Sequence, residues 1–231
     1  MNLPEDHLLS DTAGNSPKLN DGRRLVISSM PCGGSSYLTY VFRRQGLDFR
    51  HEAVGADGGC GFAVGPTHNF RAALCASPET YGPFYHLSRH PLKVIPGLFT
   101  FSRNWVFNFC IKQIPSRFER SDEPPVLDAS PLHILMKFWY YWTLSCLRDG
   151  RSVIRLEDFS RPETGLLQEI AREVGYTLSD DFLLSVPMTT ASKRTKPGYR
   201  RVTWGELEKE DAALTYQMRV LSSKIGHMEE I

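Results

Sequence analysis

The feature that most constrains this chain is a junction near its start. Arg24-Leu25-Val26-Ile27-Ser28-Ser29-Met30 is an apolar, β-branched run that stops at Pro31 and two glycines, and a helical pattern begins at Ser35. An apolar run without alternation predicts a strand covered on both faces, the situation of a parallel sheet. Tyr37, Leu38, Val41 and Phe42 then share one helical face, and Gly46 supplies the stop. Leu47 to Glu52 reads as a second strand, so the opening is a strand–turn–helix–strand unit. The expected fold class is α/β: a parallel sheet of about four to five strands, flanked by helices.

The rest of the chain extends this pattern. Residues 1–22 are polar, show no sustained period and are expected to be a mobile tail, leaving 23–231 as one α/β domain. Gly55 to Gly65 is dense in glycine and reads as irregular loop. Pro83 to Ser88 reads as a third strand running into Arg89-His90-Pro91, with a helix from about Leu92. Residues 113–129 form a polar, proline-bearing excursion. Ser130-Pro131 is an N-cap followed by proline at the first helical position. It opens a long helix with Leu132, Leu135, Met136, Trp139 and Thr143 on one stripe, so the block Phe138-Trp139-Tyr140-Tyr141-Trp142 is read as core. Ser152 to Leu156 is a short strand. Ser160-x-x-Glu163 is a capping box for a helix ending at Gly175, and Thr203-x-x-Glu206 starts a terminal helix around Trp204.

Bulk properties narrow the function. A formal net charge of +1 offers no electrostatic footprint for nucleic acid. The five cysteines (Cys32, Cys60, Cys75, Cys110, Cys146) form no CxxC pair, and His68 and His133 show no ligand spacing, so neither a disulfide framework nor a metal is expected. There is no signal-like apolar run and no stretch near the roughly 20 apolar residues a membrane span needs. A cytoplasmic protein with no membrane partner is the expectation; the oligomeric state is not readable.

The chemistry is concentrated at the turn Pro31-Cys32-Gly33-Gly34-Ser35-Ser36. Backbone N–H groups at a strand-to-helix turn point outward, the helix dipole adds a positive field, and Ser35 and Ser36 offer hydroxyl donors; together these bind phosphate. It is not a Walker A loop, since GxxxxGK[ST] is absent. Arg89, at a strand end, has the fixed fork of donors that suits a second phosphate. Lys193-Arg194-Thr195-Lys196 with Arg200-Arg201 is a basic cluster in an otherwise balanced chain. His51 and Glu52 are adjacent titratable groups, and strand alternation lets only one of them face a cleft. Glu157-Asp158, between a strand and a helix, reads as local hydrogen bonding rather than acid–base chemistry.

Met30-Pro-Cys-Gly-Gly-Ser-Ser-Tyr-Leu38 resembles the 5′-phosphosulfate loop of the P-loop sulfotransferases, written P-[KR]-S-G-[TS]-[TS]-[WY]-L. Arg43 to Glu52 is similar to the segment leading to "GHE" in bacterial members, and Ser88 to Ile95 to their R-x-P-x-x-V/I segment. Phe138–Trp142, Ile154–Asp158 and Thr203-Trp-Gly-Glu-Leu207 resemble the late helix, the R-x-E-D strand end and a C-terminal "TWEEL". The resemblance implies a P-loop-type sheet and a sulfotransferase that uses 3′-phosphoadenosine 5′-phosphosulfate (PAPS) as donor and releases 3′-phosphoadenosine 5′-phosphate (PAP). The acceptor would be a hydroxyl or amine on a small molecule or glycan. Cys32, Gly33, Gly34, Ser35, Ser36 and Tyr37 would hold the 5′-phosphosulfate and Arg89 the 3′-phosphate. Lys193, Arg194 and Arg200 would close over the nucleotide, and Glu52 or His51 would take the acceptor's proton. Residues 55–80 and 104–129 would wall the acceptor pocket, with Phe62, Phe70, Trp105, Phe107 and Phe109 giving it an apolar or sugar-stacking face.

Two positions depart from that pattern. Cys32 stands where the family carries Lys or Arg, and Gly97 where it usually carries Ser. The missing loop cation is worth about 3–4 kcal/mol in a transition state that loads charge on the leaving phosphate. Two alternatives therefore stand beside the transferase: a catalytically degenerate relative that binds nucleotide or a partner, and a small-molecule kinase, which the missing loop lysine disfavours.

Overall fold

The computed structural model describes residues 24–62, 81–100, 129–148, 152–159, 165–173, 175–177 and 199–227. The expected tail, nearly all of the 113–129 excursion, the Ser160–Glu163 capping box, Lys193, Arg194, Phe70, Trp105, Phe107, Phe109, His68, Cys75 and Cys110 lie outside the described residues.

The architecture is α/β. Strands β1 (Arg24–Ser29), β2 (Phe49–His51), β3 (Gly58–Gly61), β4 (Tyr81–Ser88) and β5 (Ser152–Arg155) form a five-stranded sheet in the order β2-β3-β1-β4-β5, and every pairing is parallel. The helices are α1 (Ser35–Arg44), α2 (Pro91–Phe99), α3 (Pro131–Arg148), α4 (Leu156–Phe159), α5 (Leu166–Glu173), α6 (Trp204–Glu210) and α7 (Ala212–Lys224).

The sheet separates two apolar layers. Leu25 and Ile27 of β1 and Tyr85 and Leu87 of β4 pack with Leu38, Val41 and Phe42 of α1 and with Leu167 and Ile170 of α5. The opposite layer joins α2 to α3, α6 and α7, with Trp139 wholly buried at its centre. The stripe read from the sequence of α3 is buried, and so are Phe138 and Trp142 of the aromatic block. Ser130 caps α3 through the His133 N–H at 3.1 Å, ahead of Pro131 at the first helical position.

Two expectations need correction. Gly58–Gly61 lies within the segment read as irregular loop, yet it forms strand β3 between β1 and β2. Its glycines are there because neighbouring chains leave no room: a Cβ at Gly58 would strike the Leu25 carbonyl, and one at Gly59 the Ala53 carbonyl. In consequence β1 and β2 are not direct neighbours; the opening βα unit crosses over one strand position before returning. Finally, the terminal helix is two helices. Asp211 is extended between α6 and α7 (φ −156°, ψ 102°), and its carboxylate caps α7 by accepting from Leu214 N at 2.9 Å. The capping box that starts α6 is present in full: Thr203 Oγ1 accepts from Glu206 N, and the Glu206 carboxylate accepts from Thr203 N at 2.9 Å.

No described helix is long and apolar enough to cross a membrane.

Candidate functional site

Helix α1 follows β1 onto one face of the sheet, whereas α2 follows β4 onto the other. Because β1 and β4 are neighbours, the chain segments leaving their carboxyl ends part to opposite faces and frame a crevice, the place where open parallel sheets bind ligands. Every described residue singled out at the turn, and Arg89, lies at this edge.

The turn after β1 is tightly built. Gly33 N donates to the Met30 carbonyl at 2.9 Å. Cys32 and Gly34 both take left-handed backbone, at φ 65° and 106°. Gly34 is the N-cap of α1, and no side chain caps that helix, so its first N–H groups have no partner within the helix. The two glycines are demanded by protein atoms behind the turn. A Cβ at Gly33 would sit 2.8 Å from the Met30 carbonyl, and one at Gly34 would sit 2.5 Å from Leu156. Strand, turn and helix thus hold a row of outward N–H donors in place.

His51, at the end of β2, reaches this turn. Its Nε2 lies 3.0 Å from Ser35 Oγ and 3.2 Å from Ser36 Oγ. Glu52 follows at φ 56°; it has left the strand geometry, so alternation no longer separates it from His51. The two side chains do not point to opposite sides as strand alternation predicts: Nε2 of His51 and Oε1 of Glu52 are 3.5 Å apart. The Glu52 carboxylate also accepts from Phe62 N at 3.1 Å, in space that Gly61 leaves open, since a Cβ there would lie 2.7 Å from it.

Arg89 leaves the end of β4 and donates through Nη1 to the Cys32 carbonyl at 3.2 Å, bridging the crevice. Its own carbonyl accepts from the Trp139 indole at 3.2 Å. His90 then caps α2 by accepting from Leu92 N through Nδ1 at 3.2 Å, ahead of Pro91 at the first helical position.

Below this layer lies a network that the sequence reading did not identify. Ser88 Oγ is 3.0 Å from Nε2 of His227, whose Nδ1 is 3.6 Å from Glu157 Oε2. The other oxygen of Glu157 accepts from His90 N at 3.3 Å. With a carboxylate beside Nδ1, the consistent tautomer has Ser88 donating to Nε2. Ser88 is only 2% exposed, so this Ser-His-Glu arrangement is a buried tie rather than a nucleophile. Burial, reinforced by His90, Arg155, Lys93 and His86, pushes the His227 imidazole down to about 3. Pro91 beside His90 was the sequence signal for a cap there; His227 carries no local signal. Asp158 binds Arg155 through both oxygens, at 2.6 and 2.7 Å, the local hydrogen bonding expected of the pair, whereas Glu157 instead faces His90 and His227 from distant parts of the chain.

The remaining predicted residues separate. Cys32 turns its thiol into the apolar layer, where a Cβ on Gly97 would lie 3.0 Å from both its Cβ and its Sγ. The two departures from the family pattern are thus one contact. Tyr37 packs against the α1 layer, and burial raises its phenol. Arg200 pairs with Glu206 at 2.9 Å, with its guanidinium 5.6 Å from the centre of the Phe99 ring; that pairing lowers the Glu206 carboxyl. Phe62 is stacked on Trp142 at 4.9 Å and is core, correcting its assignment to an acceptor wall. A cavity of about 520 Å³ runs beside edge strand β5, between Val153, Arg155, Leu166 and Lys224, and none of the predicted site residues lines it. Among the described residues, no cluster of His, Cys, Asp and Glu has the arrangement of a metal site.

Comparison with family models, curated proteins and solved structures finds no match to this chain.

Proposed function

We propose that this chain is a P-loop-type sulfotransferase that binds PAPS at the β1–α1 turn and transfers its sulfuryl group to a hydroxyl or amine. The observation that carries the reading is the Arg89–Cys32 bridge, which sets a guanidinium against the N-terminus of α1 at the crevice between β1 and β4. Two anionic groups a nucleotide apart need two cationic or donor-rich centres, and this edge supplies both. The turn N–H groups with Ser35 and Ser36 would hold the 5′-phosphosulfate, and Arg89 the 3′-phosphate. The acceptor oxygen or nitrogen attacks sulfur, the bond from sulfur to the phosphate oxygen breaks, and PAP leaves with that electron pair. The acceptor's proton passes to Glu52 or His51, which stand together at the mouth of the turn. Lys193 and Arg194 remain candidates for the closing loop.

The test is calorimetric titration of the full chain with PAP. Micromolar binding is expected, with Arg89→Ala weakening it ten- to a hundredfold, the scale of about 1.5–3 kcal/mol for a hydrogen bond to a charged group. Absence of both heat and thermal stabilisation with wild type would end the PAPS reading, and a response to ATP with magnesium instead would point to a kinase.

The contact between Cys32 and Gly97 favours a second reading, nucleotide binding without transfer, because it places a neutral thiol in the core where a cation would face the leaving phosphate. Cys32→Lys separates the two. The transferase reading expects PAP release from PAPS, measured across phenol, sugar and amine acceptors, to rise less than tenfold. A rise of about 10²–10³, the scale of one restored electrostatic contact, would make the natural chain a binder.

A further inference from the structure

His51 carries a role at the turn that differs from taking the acceptor's proton. Its Nε2 is within hydrogen-bond distance of both Ser35 Oγ and Ser36 Oγ, the two hydroxyls at the head of α1 that the proposed function assigns to the anion. An imidazole nitrogen offers either one lone pair or one N–H. A serine that donates its proton to a phosphate or sulfate oxygen presents only lone pairs to His51, so Nε2 must then carry hydrogen. Two negative groups decide which protonated form that is. Glu52 lies 3.5 Å from Nε2, and the bound anion lies beyond the serines; both favour imidazolium over the neutral Nε2–H tautomer. The N-terminal dipole of α1 opposes a cation at this place, and a bound anion adds to Glu52 in offsetting it. Two described titratable neighbours on β2 and β3 do not compete. Cys60 pairs with His51 across β2 and β3, and burial raises its thiol, keeping it neutral. Arg50, the preceding residue on β2, is engaged with Asp48 at 2.9 Å.

We infer that anion binding at Ser35 and Ser36 draws a proton onto His51, which then supplies through the two hydroxyls the positive charge that Cys32 does not. The inference deepens the proposed function and rests on it for the identity of the anion. It leaves Glu52 to accept the acceptor's proton. The proton taken up comes from solvent and returns there when the anion leaves.

Titrating PAP into the full chain in Hepes and in Tris, which differ in ionisation enthalpy, counts the protons taken up on binding. Wild type is expected to take up at least half a proton more than His51→Gln at pH 7.5, with the ligand's own phosphate titration cancelling in the difference. Its affinity should fall by up to about tenfold per pH unit above neutrality beyond any fall in the variant, the limit for one linked proton. Equal proton uptake and equal pH slopes overturn the inference. If PAP gives no heat, pyrophosphate serves as the probe: excess uptake by wild type upholds His51 while ending the nucleotide reading, and silence from both probes ends the two together. If the glutamine variant does not fold, the His51 Cε1–H resonance of wild type decides. It must move to the imidazolium position on adding PAP, and an unmoved resonance overturns the inference.

Discussion

Trp139→Ala is expected to destabilise the protein by about 3–5 kcal/mol, the usual cost of emptying a buried tryptophan site. Trp139 is wholly buried between α2, α3, α6 and α7, so its loss opens the centre of one layer. Trp139→Phe refines the test. It refills most of the volume but leaves the Arg89 carbonyl without its indole donor, at a cost of about 1–3 kcal/mol. Because that carbonyl fixes the backbone from which the Arg89 guanidinium reaches Cys32, PAP affinity should fall in the phenylalanine variant even where the protein is fully folded. Urea titration measures the first effect and calorimetry the second. A cost below 1 kcal/mol for alanine would contradict the packing described for this layer.

The second large effect is a loss of stability in acid centred on His227. Its folded-state imidazole sits at about 3, against about 6.5 in an unfolded chain. Between those values the unfolded state binds the extra proton, so stability rises with pH across the window and is lost as pH falls from about 6.5 towards 3. From pH 7 to pH 4.5 the loss from this one group is on the order of 2–3 kcal/mol. The groups that hold the ring neutral are its burial and the nearby His90, Arg155, Lys93 and His86; Glu157 is the facing acid, 3.6 Å from Nδ1. His227→Gln should flatten the stability–pH curve over this range, read from urea midpoints at pH 7.0, 5.5 and 4.5. A variant with the same slope as wild type would mean that other groups cause the acid sensitivity.

The residues differ in how much of this could be read ahead of the structure, and the differences have physical causes. The strand into the Pro31–Ser36 turn, the α1 face, the proline-capped start of α3 and the Thr203 capping box are local patterns, each complete within a few residues of sequence. They appear where expected. Strand β3 was invisible because Gly-Gly-Cys-Gly has no strand propensity of its own; it is a strand because β1 and β2 pair with it. The break at Asp211 contains neither glycine nor proline, only an acid that serves α7 better as a cap than α6 as a continuation. At the site, the strand–turn–helix junction and the serines that open α1 were legible as local structure. The proximity of His51 and Glu52 was not, since it depends on one residue taking a left-handed conformation. His227 meets Ser88 across 139 residues of chain, a separation no short pattern encodes.

Strand β3 also bears on how variation in this chain would be interpreted. Gly58, Gly59 and Gly61 are each hemmed by a neighbour, two by backbone carbonyls and one by the Glu52 carboxylate. At Gly58 and Gly59 almost any replacement would be rejected for want of space, as firmly as one at Gly33 or Gly34, whereas at Gly61 the neighbour is the end of a side chain that can give way. A map of tolerated substitutions would therefore draw two invariant glycine pairs, at 33–34 and at 58–59. Only the first lies at the turn between β1 and α1; the second would mimic the signature of a binding loop while doing nothing but letting neighbouring backbones lie close together.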